Sequence, residues 1–259
     1  MKLATWNVNS LAVRLPQLLA WLQANPVEAL VLQETKLTDD KFPQAEIEAA
    51  GYHVAFHGQK TYNGVALLSR GAAALDVVKN IPGFADDQAR VIAGTVAGPL
   101  GAVRVIGGYF PNGQAPDSDK FVYKMRWQDA LHDWVREQLA AHPQLALMGD
   151  FNVAPDDRDV YDPVGWMNQI HCTPQERAQF QRLVALGLVD AFRLFEQPVK
   201  SWSWWDYRNL AFRKNQGLRI DHILVSAALR PHVQACTIDK APRKNERPSD
   251  HAPVVVTLG

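Results

Sequence analysis

Short apolar runs recur along the chain, and their length predicts β-strands rather than long helices. In chain order the strand candidates read KLATWN, ALVLQE, GVALLSR, RVIGGYF, LALMGDFN, RIDHILVS and APVVVTL. Several of them are apolar at every position instead of alternating, which is typical of strands that are covered on both faces. The covering layer is either a second sheet or a set of helices.

Helical spacing appears between these runs. The segment RLPQLLAWLQAN places its leucines along one face and stops at Asn25-Pro26. A second helix is predicted from Asp117 to His142, just before Pro143. Thr173-Pro174-Gln175-Glu176 has the form of a capping box with proline at the first helical position, and Gly187 is a predicted stop.

The two halves of the chain resemble each other weakly. LATWN and LALMGDFN are both apolar strands that end in an asparagine, and helical sequence follows each. Two similar halves of this kind would pack sheet on sheet with their helices outside. We therefore predict a four-layer α/β sandwich, in which two packed mixed β-sheets are flanked by helices and the halves are related by a pseudo-twofold axis. No low-complexity linker divides the chain, so residues 1–259 are expected to form a single domain.

Composition restricts the class of protein without naming a partner. The 259 residues include 27 basic and 27 acidic side chains and are 47% hydrophobic, which is ordinary for a globular protein. No secretory leader is recognisable, and no run approaches the ~20 apolar residues that span a bilayer. Two cysteines, Cys172 and Cys236, suit neither a disulfide framework nor a metal cluster. A reduced cytoplasmic protein without membrane contact is the expectation.

The segment MGDFNVAP carries the first candidate chemistry. On a strand, side chains two positions apart share a face, so Asp150 and Asn152 should point the same way, with Phe151 opposite. Pro155 then prevents further ladder pairing. Such a pair is either an Asx-type turn, which is the commoner case, or half of an active site.

Polar residues also follow or open other predicted strands. Because α/β folds place their sites at strand ends, these residues are expected to converge on one rim. The residues in question are Asn7, Glu34, Tyr109, Asn112, Asp221, Asp250 and His251.

The residue types narrow the chemistry. Glu34 and the aspartates offer hard oxygen ligands without a competing Cys/His cluster, which favours Mg²⁺ or Mn²⁺ over Zn²⁺. A lone His251 among carboxylates suits an imidazolium held by an aspartate, and asparagine amides can bind phosphoryl oxygens or orient a water. The set fits metal-assisted hydrolysis of a phosphate ester. A general base alone supplies only about 10²- to 10⁴-fold acceleration, so several groups must act together.

At these residues the chain resembles exonuclease III-type apurinic/apyrimidinic endonucleases of the endonuclease/exonuclease/phosphatase superfamily. The resemblance runs from Lys2 to Leu258 and rests on motifs in the family's order. GDFN and SDHAP mark the superfamily broadly, whereas WSWWDYR and GLRIDHILVS are more specific to its DNA-repair branch. The other matching motifs are WNVNSL, LQETKL, NGVALLSR and YFPNG.

The resemblance implies a Mg²⁺-dependent DNA-repair nuclease, with Mn²⁺ as a substitute. Such an enzyme hydrolyses phosphodiesters at abasic sites and 3′ ends of double-stranded DNA, as AP endonuclease, 3′–5′ exonuclease and 3′-phosphatase, and is expected to be a monomer. Its substrate would be DNA with abasic sites or damaged 3′ ends. The alternative is another phosphoesterase of the same superfamily, and a catalytically dead DNA-binding module is a third hypothesis.

The same resemblance assigns roles to individual residues. Glu34 is the expected principal metal ligand, Asp150 the residue that activates water, and His251 a phosphate contact oriented by Asp221. Around the metal it places Asn7, Glu34, Asp150, Asn152, Asp250 and His251. The catalytic candidates are Tyr109, Asp150, Asn152, Asp221 and His251, while Asn112 is a further phosphate contact. Asn9 stands where many eukaryotic members have aspartate, so it is expected to contribute less to the metal, or only through a water molecule.

Substrate binding is expected from the segment WSWWDYRNLAFRKNQGLR, because aromatic rings stack on bases or sugars and cations contact phosphates. By resemblance Trp204 faces the sugar pocket, and Leu218 and Ile220 lie near its wall. Trp202 or Trp205 is instead expected in the core. Two further candidate basic surfaces comprise Lys120, Lys124 and Arg126, and Arg243, Lys244 and Arg247. For any single one of these residues, plain solvated charge is the commoner explanation.

His171 is the one residue expected to tune specificity. Family members that favour abasic sites tend to carry a small residue at the matching position. A bulky imidazole there would narrow the route by which an extrahelical abasic sugar enters the pocket. The hypothesis is a bias toward 3′-end processing, and the alternative is that His171 is an innocuous surface residue.

Overall fold

The computed structural model describes all 259 residues, with twelve strands and four α-helices. The helices are α1 (Leu11–Ala24), α2 (Gln44–Ala49), α3 (Asp119–Ala141) and α4 (Pro174–Ala185). The strands are β1 (Lys2–Asn7), β2 (Ala29–Gln33), β3 (Tyr52–His57), β4 (Val65–Arg70), β5 (Leu75–Lys79), β6 (Val91–Gly98), β7 (Gly101–Tyr109), β8 (Leu145–Asp150), β9 (Val189–Asp190), β10 (Asp221–Val225), β11 (Val233–Ile238) and β12 (Val254–Leu258).

Two six-stranded mixed sheets form the centre of the molecule. Their strand orders are β11-β12-β1-β2-β4-β3 and β5-β6-β7-β8-β10-β9. Each sheet has a single parallel pair, β1 with β2 and β7 with β8, and all its other pairs are antiparallel. A helix connects the strands of each parallel pair, as parallel pairing requires. Read in the same direction the two orders match, because β1-β2-β4-β3 corresponds to β7-β8-β10-β9, so β1 takes the place of β7 and β2 that of β8. This confirms the predicted pseudo-twofold arrangement, although the motif strands LATWN and LALMGDFN, on β1 and β8, are not the equivalent ones.

The core has three apolar layers, one between the sheets and one outside each. Leu3, Val31 and Met148 belong to the inner layer, where side chains of both sheets meet. Helices α3 and α4 cover the second sheet with residues such as Trp127 and Phe180. Helix α1 and its neighbours cover the first sheet. Strands with both faces buried explain the unbroken apolar runs, and the predicted four-layer sandwich is confirmed.

Helix ends follow the local sequence signals. Thr173 Oγ1 accepts from the amide of Glu176, and the Glu176 side chain accepts from Thr173 in return, so the predicted capping box is present. Helix α3 begins after Ser118, whose hydroxyl accepts from the Phe121 amide, and it ends before Pro143. Gly187, at φ +95°, follows the end of α4. None of the helices is both long and apolar enough to cross a membrane.

Five strand ends meet on one edge of the sandwich. Strands β1 and β2 run parallel and end at Asn7 and Gln33, and β8 ends at Asp150. Strand β10 begins at Asp221, which lies opposite Asp150 in the antiparallel register. Tyr109 lies opposite Asp150 on the other side, at the end of β7. Three neighbouring strands of one sheet therefore bring a phenol and two carboxylates to the same rim.

The approach of β7 to β8 just before this rim requires glycine. Gly149 has φ +155°, and a Cβ atom there would collide with the carbonyl oxygen of Gly108 on the neighbouring strand. We expect Gly149→Ala to lower the free energy of unfolding by about 3 kcal/mol, because backbone on both sides cannot move away. Urea titration measures this.

Gly71→Ala is the matched control for Gly149→Ala. Gly71 also has positive φ, at +84°, but nothing lies within 4 Å of its missing Cβ. Only backbone strain is introduced there, with an expected loss of about 1 kcal/mol. Equal losses for the two variants would contradict the close-approach explanation.

Candidate active site at the strand ends

Three ionisable side chains lie together on the rim. Ligand atoms of Glu34, Asp150 and His251 are all within 4.8 Å of one another, although these residues are far apart in the chain. Asp150 and His251 are buried, and Glu34 keeps a side-chain exposure of 18%. The convergence that the strand ends predict therefore holds for these three residues.

Asn7 joins the two carboxylates. Its Nδ2 donates to Glu34 Oε1 at 2.8 Å and to Asp150 Oδ2 at 2.9 Å, and its Oδ1 accepts from the Asn9 amide at 3.0 Å. The backbone donor fixes the orientation of the amide group, so that its NH₂ faces the carboxylates. Asn7, expected at the metal, thus contributes a bridge between two acidic residues rather than a free oxygen ligand.

Asp150 combines both alternatives that the sequence leaves open. Its Oδ1 accepts from the Asn152 amide at 2.9 Å, which is an Asx turn, and its Oδ2 faces the cluster. Asn152 takes the left-handed conformation at φ +50°. Phe151 points away into the core and stacks on Phe110. The turn aims the carboxylate, and burial together with the charges of Asp221 and Glu34 raises the pKa of Asp150.

His251 is held by Asp221 at the back of the site. Its Nδ1 lies 2.8 Å from Asp221 Oδ2 and 3.1 Å from Oδ1, and its Nε2 lies 3.7 Å from Asp150 Oδ2. Burial alone would lower the pKa of His251, but the charges of Asp221 and Asp150 and the hydrogen bond raise it well above its usual range. The ring is therefore an imidazolium, with a proton on each nitrogen.

Lys36 compensates the charge of Glu34 from the solvent side. Its Nζ lies 2.9 Å from Glu34 Oε2 and 2.5 Å from Asn9 Oδ1. Burial would raise the pKa of Glu34, but the charge of Lys36 and the hydrogen bond from Asn7 bring it below its usual value. Glu34 and Lys36 both have positive φ, at +54° and +56°, so this loop stores backbone strain at the site.

Tyr109 and the two asparagines border the cluster on a second side. Burial and the negative charges of Glu34 and Asp150 raise the pKa of Tyr109, so its phenol keeps its proton. Asn112 Nδ2 lies 3.3 Å from Asn152 Oδ1, and Asn152 Nδ2 donates to the Phe110 carbonyl at 2.9 Å. A cleft of about 750 Å³ opens beside Tyr109 and Asn112.

An aromatic and aliphatic pocket borders the third side. Leu218 and Ile220 are buried in one small cluster with Trp166 and Trp204 packed against it. His171 lies between the two indoles, with its ring centre 6.3 Å from each. Its 5% exposure shows that it is not a surface residue. Trp202 and Trp205 are both buried in another cluster, as expected for at least one of them.

Three of the predicted residues lie apart from the group of Glu34, Asp150 and His251. Asp250 is one of them, and its oxygens accept from Asn9 Nδ2 at 2.9 Å and Trp204 Nε1 at 3.0 Å. It holds the indole of the pocket in place. Lys124 and Arg243, expected on basic surfaces, are buried at 0% and 6% exposure, because both are paired with acceptors inside the protein.

The remaining acidic donors suit a hard cation. Glu34 and Asp150 present carboxylate oxygens within one group, beside His251, whose Nδ1 is engaged by Asp221. Asn152 is engaged with the Phe110 carbonyl and Asn112. Oxygen-only donation fits Mg²⁺ or Mn²⁺ better than Zn²⁺.

Sequence patterns alone did not identify Lys36, Ser249 or Glu176 as parts of this site. Ser249 Oγ donates to the Asn7 carbonyl at 2.6 Å and accepts from the His251 amide at 3.2 Å, which joins two ends of the chain. Ser249 and Lys36 stand inside the SDHAP and LQETKL motifs, so motif membership was the available signal.

We expect Asp221→Asn to lower the pKa of His251, because the substitution removes its nearest negative charge. A pKa raised by folding means that protonation of His251 stabilises the fold at low pH, and this contribution is lost as the pH rises through the folded-state pKa. In Asp221→Asn this contribution is therefore smaller, and its loss is complete at lower pH. NMR titration of the His251 ring measures the shift. An unchanged midpoint for His251 would contradict the assignment of Asp221 as its partner.

Comparisons with known proteins agree with this geometry. The model of the Endonuclease/Exonuclease/phosphatase family matches residues 4–251. Exodeoxyribonuclease III of Haemophilus influenzae is 36% identical over 263 residues, which cover 98% of both chains. A 3′ phosphatase, NExo, from Neisseria, bound to a product DNA hairpin, has 49% identity and a TM-score of 0.96, with 100% of this chain and 99% of that chain covered. An AP endonuclease from Archaeoglobus fulgidus has 34% identity and a TM-score of 0.94 over 100% and 99% of the two chains.

The resemblance read from the motifs is thereby confirmed over nearly the whole sequence. The strand-end cluster, the two-sheet sandwich and these matches lead to one assignment. The chain belongs to the endonuclease/exonuclease/phosphatase family, in its exonuclease III-type branch.

Proposed function

We propose that this protein is a Mg²⁺-dependent DNA-repair nuclease that hydrolyses phosphate esters at 3′ ends and abasic sites of double-stranded DNA. One observation supports the proposal above all: Glu34, Asp150 and His251 lie together at one edge of the sandwich, and Asp221 holds the ring of His251. The relatives act as exodeoxyribonuclease III, 3′ phosphatase and AP endonuclease by name, which supports DNA as the substrate. We further propose that the 259 residues act as one domain and as a cytoplasmic monomer, consistent with two buried free cysteines.

Glu34 and Asp150 are the residues that would hold the divalent cation. When bound, such a cation neutralises charge on the phosphoryl oxygens and stabilises the charge that develops during bond cleavage. Asn7 fixes the two carboxylates relative to each other, because its amide donates a hydrogen bond to each of them. Lys36 balances Glu34 on its open side and limits the repulsion between neighbouring acidic groups.

His251, Tyr109 and Asn112 would bind the phosphate. The imidazolium donates from Nε2, since Nδ1 is used by Asp221. The phenol of Tyr109 keeps its proton because its pKa is raised, and it therefore remains a donor. Preorganised donors of this kind stabilise a developing oxyanion without reorganisation.

Asp150 is the group placed to orient the attacking water and to accept its proton. Burial and nearby acidic groups raise its pKa, which increases its affinity for a proton. The water oxygen forms the new bond to phosphorus, the ester oxygen of the sugar leaves with the bonding pair, and the water proton passes to Asp150. Asn152, fixed in the Asx turn, borders the same space.

The pocket beside the rim would receive the sugar at the reacting end of the strand. Trp204, Leu218 and Ile220 give it an apolar wall, and Asp250 fixes the indole of Trp204. The cleft on the opposite side, about 750 Å³ in volume and lined in part by Arg90 and Lys120, offers cations to the neighbouring phosphates.

His171 would bias the enzyme toward 3′-end processing. Its ring stands between Trp166 and Trp204, where an extrahelical abasic sugar would have to enter. A hydrogen bond between Nδ1 and the Asn152 carbonyl, 2.8 Å long, prevents the ring from swinging aside. A terminal 3′-phosphate needs less of this space than an internal sugar joined on both sides.

We expect the purified protein with Mg²⁺ to remove phosphate from a 3′-phosphorylated duplex and to leave a soluble phosphoinositide intact. Asp150→Asn should reduce the rate by at least about 10²-fold, because the proton acceptor is lost, while DNA binding is retained. Phosphate release and gel shift measure the two quantities, and EDTA should abolish the first. Hydrolysis of the phosphoinositide instead would favour another phosphoesterase of the superfamily. Binding without any hydrolysis would favour a DNA-binding module.

We expect His171→Gly to raise incision at an internal abasic site about tenfold or more relative to 3′-phosphate removal. The substitution opens the pocket, and glycine tolerates the φ of +73° at this position. Incision of a duplex with one abasic analogue measures the effect. Asn168→Gly, at φ +60° in the same loop, relaxes the backbone without opening the pocket and is the control. If incision by His171→Gly does not exceed incision by Asn168→Gly, His171 does not restrict entry of the abasic sugar.

A further inference from the structure

A buried ion pair lies behind the site and has no part in the chemistry proposed above. Lys124 of α3 and Glu176 of α4 are in direct contact, and both side chains are 0% exposed. Removing two charges from water carries a cost that attraction alone seldom offsets, so such pairs persist where further hydrogen bonds satisfy them. The position of those further bonds indicates what the pair is for.

The ammonium of Lys124 binds the main chain of two site residues. Its Nζ donates to the Asn152 carbonyl at 2.8 Å and to the Asn112 carbonyl at 3.2 Å, and its third proton goes to Glu176. All three donors are used. One fully buried cation therefore sets the spacing of the two loops whose asparagine side chains border the cluster.

The carboxylate of Glu176 binds the loop that carries His171. Its Oε1 accepts from the His171 amide at 3.0 Å in addition to Lys124, and its Oε2 accepts from the Thr173 amide at 3.1 Å and hydroxyl at 2.8 Å. Glu176 is thus more than the acidic member of a capping box. It connects the start of α4 to the residue that lines the pocket.

The third connection runs through the imidazole. The Asn152 carbonyl accepts from Lys124 and lies 2.8 Å from His171 Nδ1, so Nδ1 must carry the proton of a neutral ring. The Nε2 atom then presents its lone pair toward Asn112 Nδ2, 3.5 Å away. Burial and the charge of Lys124 lower the pKa of His171 to about 4, which agrees with a neutral ring.

We propose that the Lys124–Glu176 pair is a positioning device for Asn112, Asn152 and His171, and that it fixes both the phosphate-binding loops and the imidazole of the pocket. Two of these three residues have left-handed backbone, Asn152 at φ +50° and His171 at φ +73°. Such conformations persist only where the surroundings determine them. The expected effects on kcat and on substrate preference rest on the proposed function, whereas the expected position and tautomer of the His171 ring do not.

A second ion pair between the same helices serves as a matched control. Asp129 of α3 and Arg182 of α4 are in contact on the surface, with side chains 54% and 44% exposed. They join the same two helices without touching any site loop. If the buried pair only held the helices together, removing either pair would have similar consequences for activity.

The kinetic test compares the double variant Lys124→Met/Glu176→Gln with Asp129→Asn/Arg182→Met. Removing both buried charges avoids a lone buried ion. On 3′-phosphorylated duplex with Mg²⁺ we expect kcat to fall at least tenfold with KM changed less than threefold, and abasic incision to rise relative to phosphate removal. The surface variant should stay within twofold of wild type. A folded buried-pair variant with wild-type kcat and wild-type substrate ratio would overturn the proposal.

A structural measurement separates failure of this inference from failure of the proposed function. In ¹⁵N-labelled wild-type protein, the His171 ring should show the neutral Nδ1–H tautomer at pH 7. Glu176→Asp keeps the charge but withdraws the carboxylate, and it should shift the His171 ring signals. The other tautomer in wild type, or unchanged signals in this variant, would overturn the positioning role whether or not the protein hydrolyses DNA. If the expected signals appear and wild type hydrolyses no DNA, the proposed function alone fails.

Discussion

The structure around the rim depends on the neutralisation of three neighbouring carboxylates. Glu34, Asp150 and Asp221 would repel one another strongly in a buried site, since the attraction and repulsion of charges grow as water is excluded. Each has a different compensating partner. Asp221 has the imidazolium of His251, Glu34 has Lys36, and Asp150 shares His251 and the amide of Asn7. Sheets, loops and strained residues serve to hold these partners at hydrogen-bonding distance.

The need to bring charged side chains to this edge also explains why the ends of the strands could be predicted from the sequence. Apolar runs stop where a charged side chain must reach the rim, so Asn7, Glu34, Asp150 and Asp221 stand at breaks in the hydrophobic pattern. The alternation of a strand also placed Phe151 in the core correctly. Fold class followed from the unbroken apolar runs, because only strands with two covered faces require them.

The environments of Lys124, Asp250 and His171 could not be predicted, because they depend on residues that are distant in the chain. From the sequence, Lys124 looks like an ordinary surface lysine on a helix. It is buried because Glu176 and two loop carbonyls, which are distant in the chain, accept hydrogen bonds from its ammonium group. Asp250 stands in a motif that resembles a metal site, and the amide and the indole that donate to its oxygens belong to Asn9 and Trp204, which are distant in the chain. His171 was expected near the pocket, but the carbonyl that holds its ring belongs to Asn152, 19 residues earlier.

The pairing of β1 with β12 has a consequence for how the protein is made. Strand β12 lies between β11 and β1, and Ser249 joins His251 to Asn7 across 242 residues of chain. A ribosome that has synthesised the first two hundred residues has produced both Glu34 and Asp150, but neither Asp221 nor His251. Contacts of such long sequence separation form late and slowly. Hydrolytic competence should therefore arise only after β12 has been synthesised and has paired with β1.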